Sequence, residues 1–367
     1  MLPGREGAVG RHRGNDETMA ITSRDVARLA GVSQSTVSRV LQNRPEVSPE
    51  ARAKVEAVLK EVGYAPNPHA QAMRNAPTNA IGVVVGRMTN PFYLDLLEAV
   101  SRALDAAGKR MILWRSDSGG GEEAAINGIR DRLADGLIFT AATYDSLALR
   151  EALGRHAPIV LLNRSIDGIA CDQLTSDNAH GTALAAQHIV ALGHTRVAVL
   201  SGMQSVSTGR ERRQGFVAEM QRLGRPVESH FDILCDFTHE SGYGAAVEIL
   251  RRSDRPSAIF CVNDLIALGV LDAARDLQIA VPQELSVVGY DDIRIASWSA
   301  YGLTTIRQPT KTMAEVGVEM LFARLADPNR PYESRRYSAE LVIRGSTAAP
   351  TSAEPAPVPG RTSRVKP

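Results

Sequence analysis

From Ala80 onward, short apolar runs return at intervals, each separated from the next by a stretch long enough for a helix. The runs are Ile81–Val85, Arg110–Trp114, Gly136–Phe139, Ile159–Leu162, Val197–Leu200, Ala258–Val262, Leu285–Gly289 and Thr304–Ile306. Short Val/Ile/Leu runs of this kind suit parallel strands covered on both faces. The stretches between them have helical spacing: Tyr93–Ala107 carries Leu96, Leu97, Val100 and Leu104 on one side, and His180–Leu192 behaves similarly. Such alternation dictates a doubly wound α/β architecture. About 270 residues of it, 79–347, exceed one comfortable core, so two similar lobes with a cleft between them are expected.

The chain before residue 65 is different, with short helices only. A first helix is expected over Arg24–Ala30, with Gly31 as the turn, Val32 as an apolar plug and Ser33 as N-cap of a second helix. In that second helix Val37, Val40 and Leu41 share one side, which leaves Gln34, Ser35, Ser38 and Arg39 opposite. A third helix begins with Ser48 as N-cap and Pro49 behind it, carries Val55, Val58, Leu59 and Val62, and stops at Gly63. Three helices then share one core in a helix-turn-helix domain, residues 19–64. Its exposed set suits a DNA major groove: Arg39 can give two bonds to guanine, and Gln34 can pair with an adenine edge. Thr22, Ser33 and Asn43 would be placed for phosphates. A solvated polar face explains the spacing equally well, and an excess of three basic residues between Met19 and Ala76 adds little.

The remaining segments bound the possibilities. Residues 1–18 are glycine-rich and charged, and Met19 reads as the natural start of the folded chain; residues 348–367 read as a Pro/Ala/Ser-rich disordered tail. Residues 65–78 read as a linker. Cys171, Cys235 and Cys261 lie far apart without metal-ligand spacing, and are expected to be buried, reduced thiols. No metal and no cofactor are expected. No apolar stretch reaches membrane-spanning length, so a cytoplasmic protein without membrane contact is expected. A net charge of +1 makes any nucleic-acid contact a local property.

At this point a resemblance enters. The segment ITSRDVARLAGVSQSTVSRVLQNRPEVSPEARAKVEAVLKEVGYAPNPHAQAMR resembles the DNA-binding head of the lactose/galactose repressor family, and V-S-x-x-T-V-S-R-V-L is its most specific part. The likeness continues to about residue 346 through TNPFYLDLLEAV, LGHTRVAVLSG, GRERRQGF, AIFCVNDLIALGVL, PQELSVVGYDD and LTTIRQP. It implies an α plus α/β chain: an N-terminal three-helix helix-turn-helix domain, a hinge helix, then a two-lobed periplasmic-binding-protein-like effector domain. It implies that Gln34, Ser35 and Arg39 read bases, with Thr36 and Ser38 in support. It implies a hinge helix over Asn67–Arg74, including Ala70, that inserts Met73 into the minor groove, with Arg74 at a phosphate beside it.

In the effector domain the resemblance makes Arg212 an effector clamp, whose fork of donors suits vicinal hydroxyls or a carboxylate. Other candidates stand at strand ends, where ligands of such folds bind: Asp291 after LSVVGY, Asn263 and Asp264 after AIFCV, Asn163 after IVLL, and Ser207 with Thr208. Capping of the next helix is an equal alternative for Asp264. Phe92 and Tyr93 stand where an aromatic could stack on a ligand ring, although helix packing explains them too. Val206 and Asn163-Arg164 stand where the purine-responsive member carries other residues, so a carbohydrate or sugar-acid derivative is the expected effector.

The reading is therefore a sequence-specific transcriptional regulator, a repressor in its commoner form, whose affinity for palindromic operator DNA is set by a small effector. A homodimer is expected, and the absence of a leucine heptad in the tail gives no basis for a tetramer. A solute-binding protein shares the lobes but not the V-S-x-x-T-V-S-R helix. An enzyme would need a nucleotide loop, a metal cluster or a nucleophile elbow, and the sequence carries no G-x-G-x-x-G after a strand, no G-x-x-x-x-G-K and no G-x-S-x-G.

Overall fold

The computed structural model describes residues 21–41, 44–62, 77–86, 88–116, 120–143, 146–154 and 156–351. The chain falls into two units, Met1–Ala76 and Pro77–Pro367.

The smaller unit contains helices α1 (Ser23–Ala30), α2 (Gln34–Leu41) and α3 (Pro49–Glu61). Thr22 and Asp25 form a reciprocal capping box at the start of α1, and Gly31 ends it at φ 65°, a conformation that favours glycine. The Ser33 hydroxyl accepts from the Thr36 amide at 3.1 Å and caps α2, and Ser48 accepts from the Ala51 amide at 3.3 Å to cap α3. Val26, Ala27, Ala30, Val37, Val40 and Val55 form the buried core, with Val32, Val58 and Leu59 packed around it. The expected plug and inward face are thus realised.

The larger unit contains two six-stranded sheets. The first holds β1 (Ala80–Val85), β2 (Arg110–Arg115), β3 (Gly136–Phe139), β4 (Ile159–Leu162), β5 (Asp172–Ser176) and β11 (Ser334–Tyr337), in the order β11-β5-β4-β3-β1-β2. The second holds β6 (Val197–Ser201), β7 (Asp232–Leu234), β8 (Ala258–Cys261), β9 (Ser286–Asp291), β10 (Thr304–Arg307) and β12 (Glu340–Val342), in the order β12-β10-β9-β8-β6-β7. All pairings are parallel except β10 with β12. Helices α4 (Pro91–Ala106), α5 (Gly121–Arg130), α6 (Leu147–Gly154) and α11 (Thr310–Ala326) belong to the first lobe. Helices α7 (Asn178–Ala191), α8 (Ser207–Arg222), α9 (His239–Leu250) and α10 (Asp264–Asp276) cover the second.

The chain passes between the lobes after β5, after β10 and again between β11 and β12. The central strands are buried throughout, with β1, β3, β4, β6, β8 and β9 shielded along their full length. Six of the eight apolar runs read from the sequence fall on these strands; Thr304–Ile306 falls on β10, and Arg110–Trp114 falls on the edge strand β2, which is half exposed rather than covered on both faces. Cys171, Cys235 and Cys261 are free and buried; burial pushes the Cys171 thiol up to about 12 and that of Cys235 up to about 11, which keeps both in the unreactive protonated form. Among the described residues there is no group that could hold a metal ion, and no helix is long and apolar enough to cross a membrane.

Two expectations are corrected. Strand β5, of sequence DQLTS, has no apolar run yet is buried at every position. Its Asp172 carboxylate, fully buried, receives Arg324 of α11 at 2.9 and 3.2 Å and the Glu333 amide at 2.9 Å. Arg324 also donates to the carbonyls of Pro328, Arg330 and Pro331, so one guanidinium ties α11 to the chain that leads into β11. The second correction concerns the tail. The Ser286 hydroxyl donates to the Ala348 carbonyl at 3.0 Å and Thr351 donates to the Gln283 carbonyl at 3.1 Å, so packed chain continues past residue 347.

Removing one partner of a buried ion pair leaves the other charge uncompensated. Asp172→Ala is expected to lower unfolding stability in urea by about 3–5 kcal/mol. A loss below about 1 kcal/mol would show that β5 is held without the pair.

Candidate functional site

In the smaller unit, α2 presents Gln34, Ser35 and Arg39 exposed, with Thr36 and Ser38 partly covered. Their spacing follows from the helix, because burial of Val37 and Val40 turns the intervening positions outward. The hydroxyls are not isolated. Ser33 shares hydrogen bonds with Ser35 at 2.7 Å and Thr36 at 2.8 Å, and the Gln34 amide donates to the Ser23 hydroxyl at 3.0 Å. Thr22, expected at a phosphate, takes part in the capping box, its hydroxyl donating to the Asp25 carboxylate at 2.6 Å. Asn43 and the hinge positions Asn67, Ala70, Met73 and Arg74 lie outside the described residues.

In the larger unit a cavity of about 190 Å³ opens between the lobes at the carboxyl ends of the strands, with room for one small molecule rather than a polymer. Of the residues predicted from sequence, Phe92, Tyr93, Asn163, Thr208, Arg212, Asn263 and Asp291 line it. Asn90 caps α4 through the Phe92 amide at 3.0 Å, which sets Phe92 and Tyr93 in its first turn, where they pack edge to face at 5.6 Å. They are at once core and wall. Phe237 forms part of the opposite wall and lies so close to Gly202 that a Cβ there would strike its ring.

Arg212 is 3% exposed. Its Nε donates to Asn178 at 2.9 Å, and one terminal nitrogen donates to the Val262 carbonyl at 2.8 Å and to Asp291 at 3.0 Å, while the guanidinium lies 3.7 Å from the Tyr290 ring centre. Gln308 donates to the same Asp291 oxygen at 2.7 Å. Burial pushes the Asp291 carboxyl above its ordinary range, opposed by Arg212 and Gln308. Asp291 also adopts φ 116° and Asp292 φ 56°, a rare backbone concentrated at the end of β9.

Two predicted residues do not reach the cavity. Ser207 accepts the Ser165 amide at 3.1 Å. Asp264 is fully buried behind the wall, accepting from the Ile293 amide at 2.8 Å and from Thr305 at 2.5 Å. Burial raises its carboxyl well above the ordinary range, with the Asp291 charge adding to the shift. Its role is structural, as the capping alternative anticipated in kind though not in partner. Asn263, not Asp264, caps α10, accepting from Ile266 at 2.9 Å.

Sequence reasoning named Arg164 only within the Asn163-Arg164 pair and did not place it among the effector-binding residues. It follows Asn163, which turns the chain at the end of β4 with φ 64°, and it lines the cavity at 7% exposure. It donates to the Asn163 carbonyl at 3.0 Å, to Thr208 of α8 at 2.9 Å and to the Tyr93 hydroxyl at 2.5 Å. Ser165 donates to Glu211 at 2.6 Å. The bonds from Arg164 and Ser165 to α8 therefore join the two lobes across the cleft. The sequence signals were its position directly after the strand-end residue Asn163 and the departure of the Asn163-Arg164 pair from the purine-responsive member.

The arrangement offers a polar cleft between hinged lobes in one unit and an exposed helix of donors in the other. Residues 22–67 match the family of bacterial regulatory proteins described as the lacI family, and residues 186–347 match a periplasmic binding protein-like domain. The ribose operon repressor of Escherichia coli strain K12 is 34% identical over 89% of this chain and 99% of its own length. The transcriptional regulator DegA of Bacillus subtilis strain 168 is 34% identical over 90% of this chain and 99% of its own. Among solved structures, the lac repressor dimer bound to operator and an anti-inducer has a TM-score of 0.79 at 28% identity, covering 90% of this chain and 99% of that one. A CelR–cellobiose complex has a TM-score of 0.68 at 29% identity, covering 89% and 99%. The chain belongs to the lacI family of bacterial regulatory proteins and is an effector-controlled DNA-binding transcription regulator, not an enzyme.

Proposed function

We propose that this protein is a cytoplasmic homodimeric repressor of a palindromic operator, released or retained by a carbohydrate or sugar-acid derivative bound between its lobes. The observation that carries the effector class is the cleft, where Arg164, Arg212, Asn163, Thr208, Asn263 and Asp291 converge beside Phe92, Tyr93 and Phe237. Polar groups of both signs beside aromatic faces suit a hydroxylated molecule with apolar ring faces. Relatives named for ribose and a structural neighbour in complex with cellobiose support the same class.

On this reading Gln34, Ser35 and Arg39 contact bases and Thr36 and Ser38 support them. Ser33 and Asn43 meet phosphates. The segment with Asn67, Ala70, Met73 and Arg74 enters the minor groove with Met73 as its wedge. Effector and operator communicate by linkage: the effector binds one lobe arrangement better, and that arrangement sets how the two heads of a dimer are spaced. The bonds from Arg164 and Ser165 to α8 are the contacts such a change would exchange.

The test is a mobility shift of the full-length protein on its own upstream DNA with a panel of sugars and sugar acids. Sequence-selective binding changed by one compound is expected; the absence of selective binding at any salt concentration would overturn the reading. Arg39→Ala should relax preference at one base pair by about 1–3 kcal/mol, read from a randomised operator position. Arg212→Ala should abolish the effector response and, because it strands the buried Asp291, also lower stability by about 3–5 kcal/mol in urea. A variant that melts like the parent and still responds would place the ligand elsewhere.

A further inference from the structure

We infer that the molecule bound in the cleft carries an anionic group, a carboxylate or a phosphate, held by Arg164; this rests on the effector reading above. The cavity is lined by two guanidinium groups, Arg164 and Arg212, but by one carboxylate, Asp291. Arg212 and Asp291 are paired at 3.0 Å. Arg164 is as deeply buried, yet the oxygens it meets, from Asn163, Thr208 and Tyr93, are all neutral.

Among the described residues no carboxylate lies within ion-pair distance of Arg164. Glu211, one turn beyond Thr208 on α8, has its oxygens on Ser165 and Asn178 and does not line the cavity. The Arg164 Nε has no hydrogen-bond partner at all, and neither has the neighbouring Asn163 Oδ1.

A buried cation without a directly paired carboxylate is costly, and neutral acceptors together with the more distant charge of Asp291 relieve only part of that cost. The cavity wall thus contains a guanidinium with an unpartnered donor, a group that suits a planar carboxylate or a phosphate, beside an unpartnered amide oxygen that suits a hydroxyl, both atoms being covered in this arrangement of the lobes. A small hydroxylated acid or phosphate ester supplies both groups. Because Arg164 holds Tyr93 of the first lobe and Thr208 of the second, an anion competing for its donors acts directly on the contact between lobes.

Thermal melts and calorimetric titration of the full-length protein without DNA test this, using the parent, Arg164→Gln and Arg164→Lys. The first probe is inorganic phosphate against chloride at equal ionic strength. Phosphate should raise the Tm of the parent, less that of Arg164→Lys, and not that of Arg164→Gln. The second set is D-gluconate, D-glucose 6-phosphate and D-glucose. A response to gluconate alone assigns a carboxylate, a response to the ester alone assigns a phosphate, and Arg164→Gln should weaken either roughly ten- to hundred-fold.

No phosphate shift in the parent, an equal shift in the parent and Arg164→Gln, or D-glucose binding as tightly as both anions would each overturn the inference. Should Arg164→Gln fail to fold, the parent's phosphate-against-chloride comparison and the Arg164→Lys titration still decide. Because no DNA is present, anion binding without operator binding would sink the repressor reading alone, and operator control by a neutral sugar would sink the anion alone.

Discussion

The buried guanidinium of Arg212 is the point on which the larger unit turns. It lies on α8, but its partners come from elsewhere: Asn178 just after the first passage between lobes, Val262 at the end of β8 and Asp291 at the end of β9. Gln308, just after the second passage, completes the set by donating to Asp291. Two of the inter-lobe passages are therefore pinned through one side chain. The same residues line the cavity or stand directly behind it, so whatever binds there touches the hinge itself. In a protein whose ligand must alter the relation of two lobes, that coincidence removes the need for a long transmission path.

Energetically the network is not a source of large stability. A buried arginine–aspartate pair gains attraction but loses hydration, and the balance is commonly near zero. What it supplies is specificity of arrangement, because the acceptors of Arg212 come from three separate segments and a slip of any of them leaves a buried charge poorly matched. The raised Asp291 carboxyl and its unusual backbone point the same way: the wall of the cavity holds a residue in a costly conformation that its partners keep in place. Arg324 with Asp172 repeats the device between α11 and β5 of the first lobe, and neither residue lines the cavity.

That contrast also explains what was legible in the sequence. Strands β1, β3, β4, β6, β8 and β9 announce themselves because their burial is apolar, and a Val/Ile run needs no distant partner to be interpreted. Strand β5 does not, since its Asp172 is tolerated only through Arg324, more than 150 residues later in the chain. Long-range satisfaction of a buried charge leaves no local trace. The site behaves the same way: Arg212 and Asp291 were legible through the family pattern and their strand-end positions. Asp264 and Ser207 occupy similar positions but have their oxygens turned to Ile293, Thr305 and Ser165. Arg164 was legible only as half of a pair that departs from the purine-responsive member, and the three-dimensional arrangement shows it enclosed by Tyr93 and Thr208.

Helix α2, proposed to face DNA, raises a different question, which is what its side chains must give up to bind. The Ser35 and Thr36 hydroxyls both meet Ser33, which itself caps the helix through the Thr36 amide, and Gln34 is held by Ser23. A hydroxyl that accepts a new bond can keep the one it donates, so Ser35 and Thr36 can be shared with DNA at little cost. Gln34 can keep its bond to Ser23 only if the adenine is met by its remaining donor and its carbonyl. The exposed Arg39 side chain carries a fork suited to guanine. Discrimination between bases should therefore be steepest at the pair facing Arg39 and shallowest at those facing the serine and threonine hydroxyls, where an exchanged bond returns only about 0.5–1.5 kcal/mol.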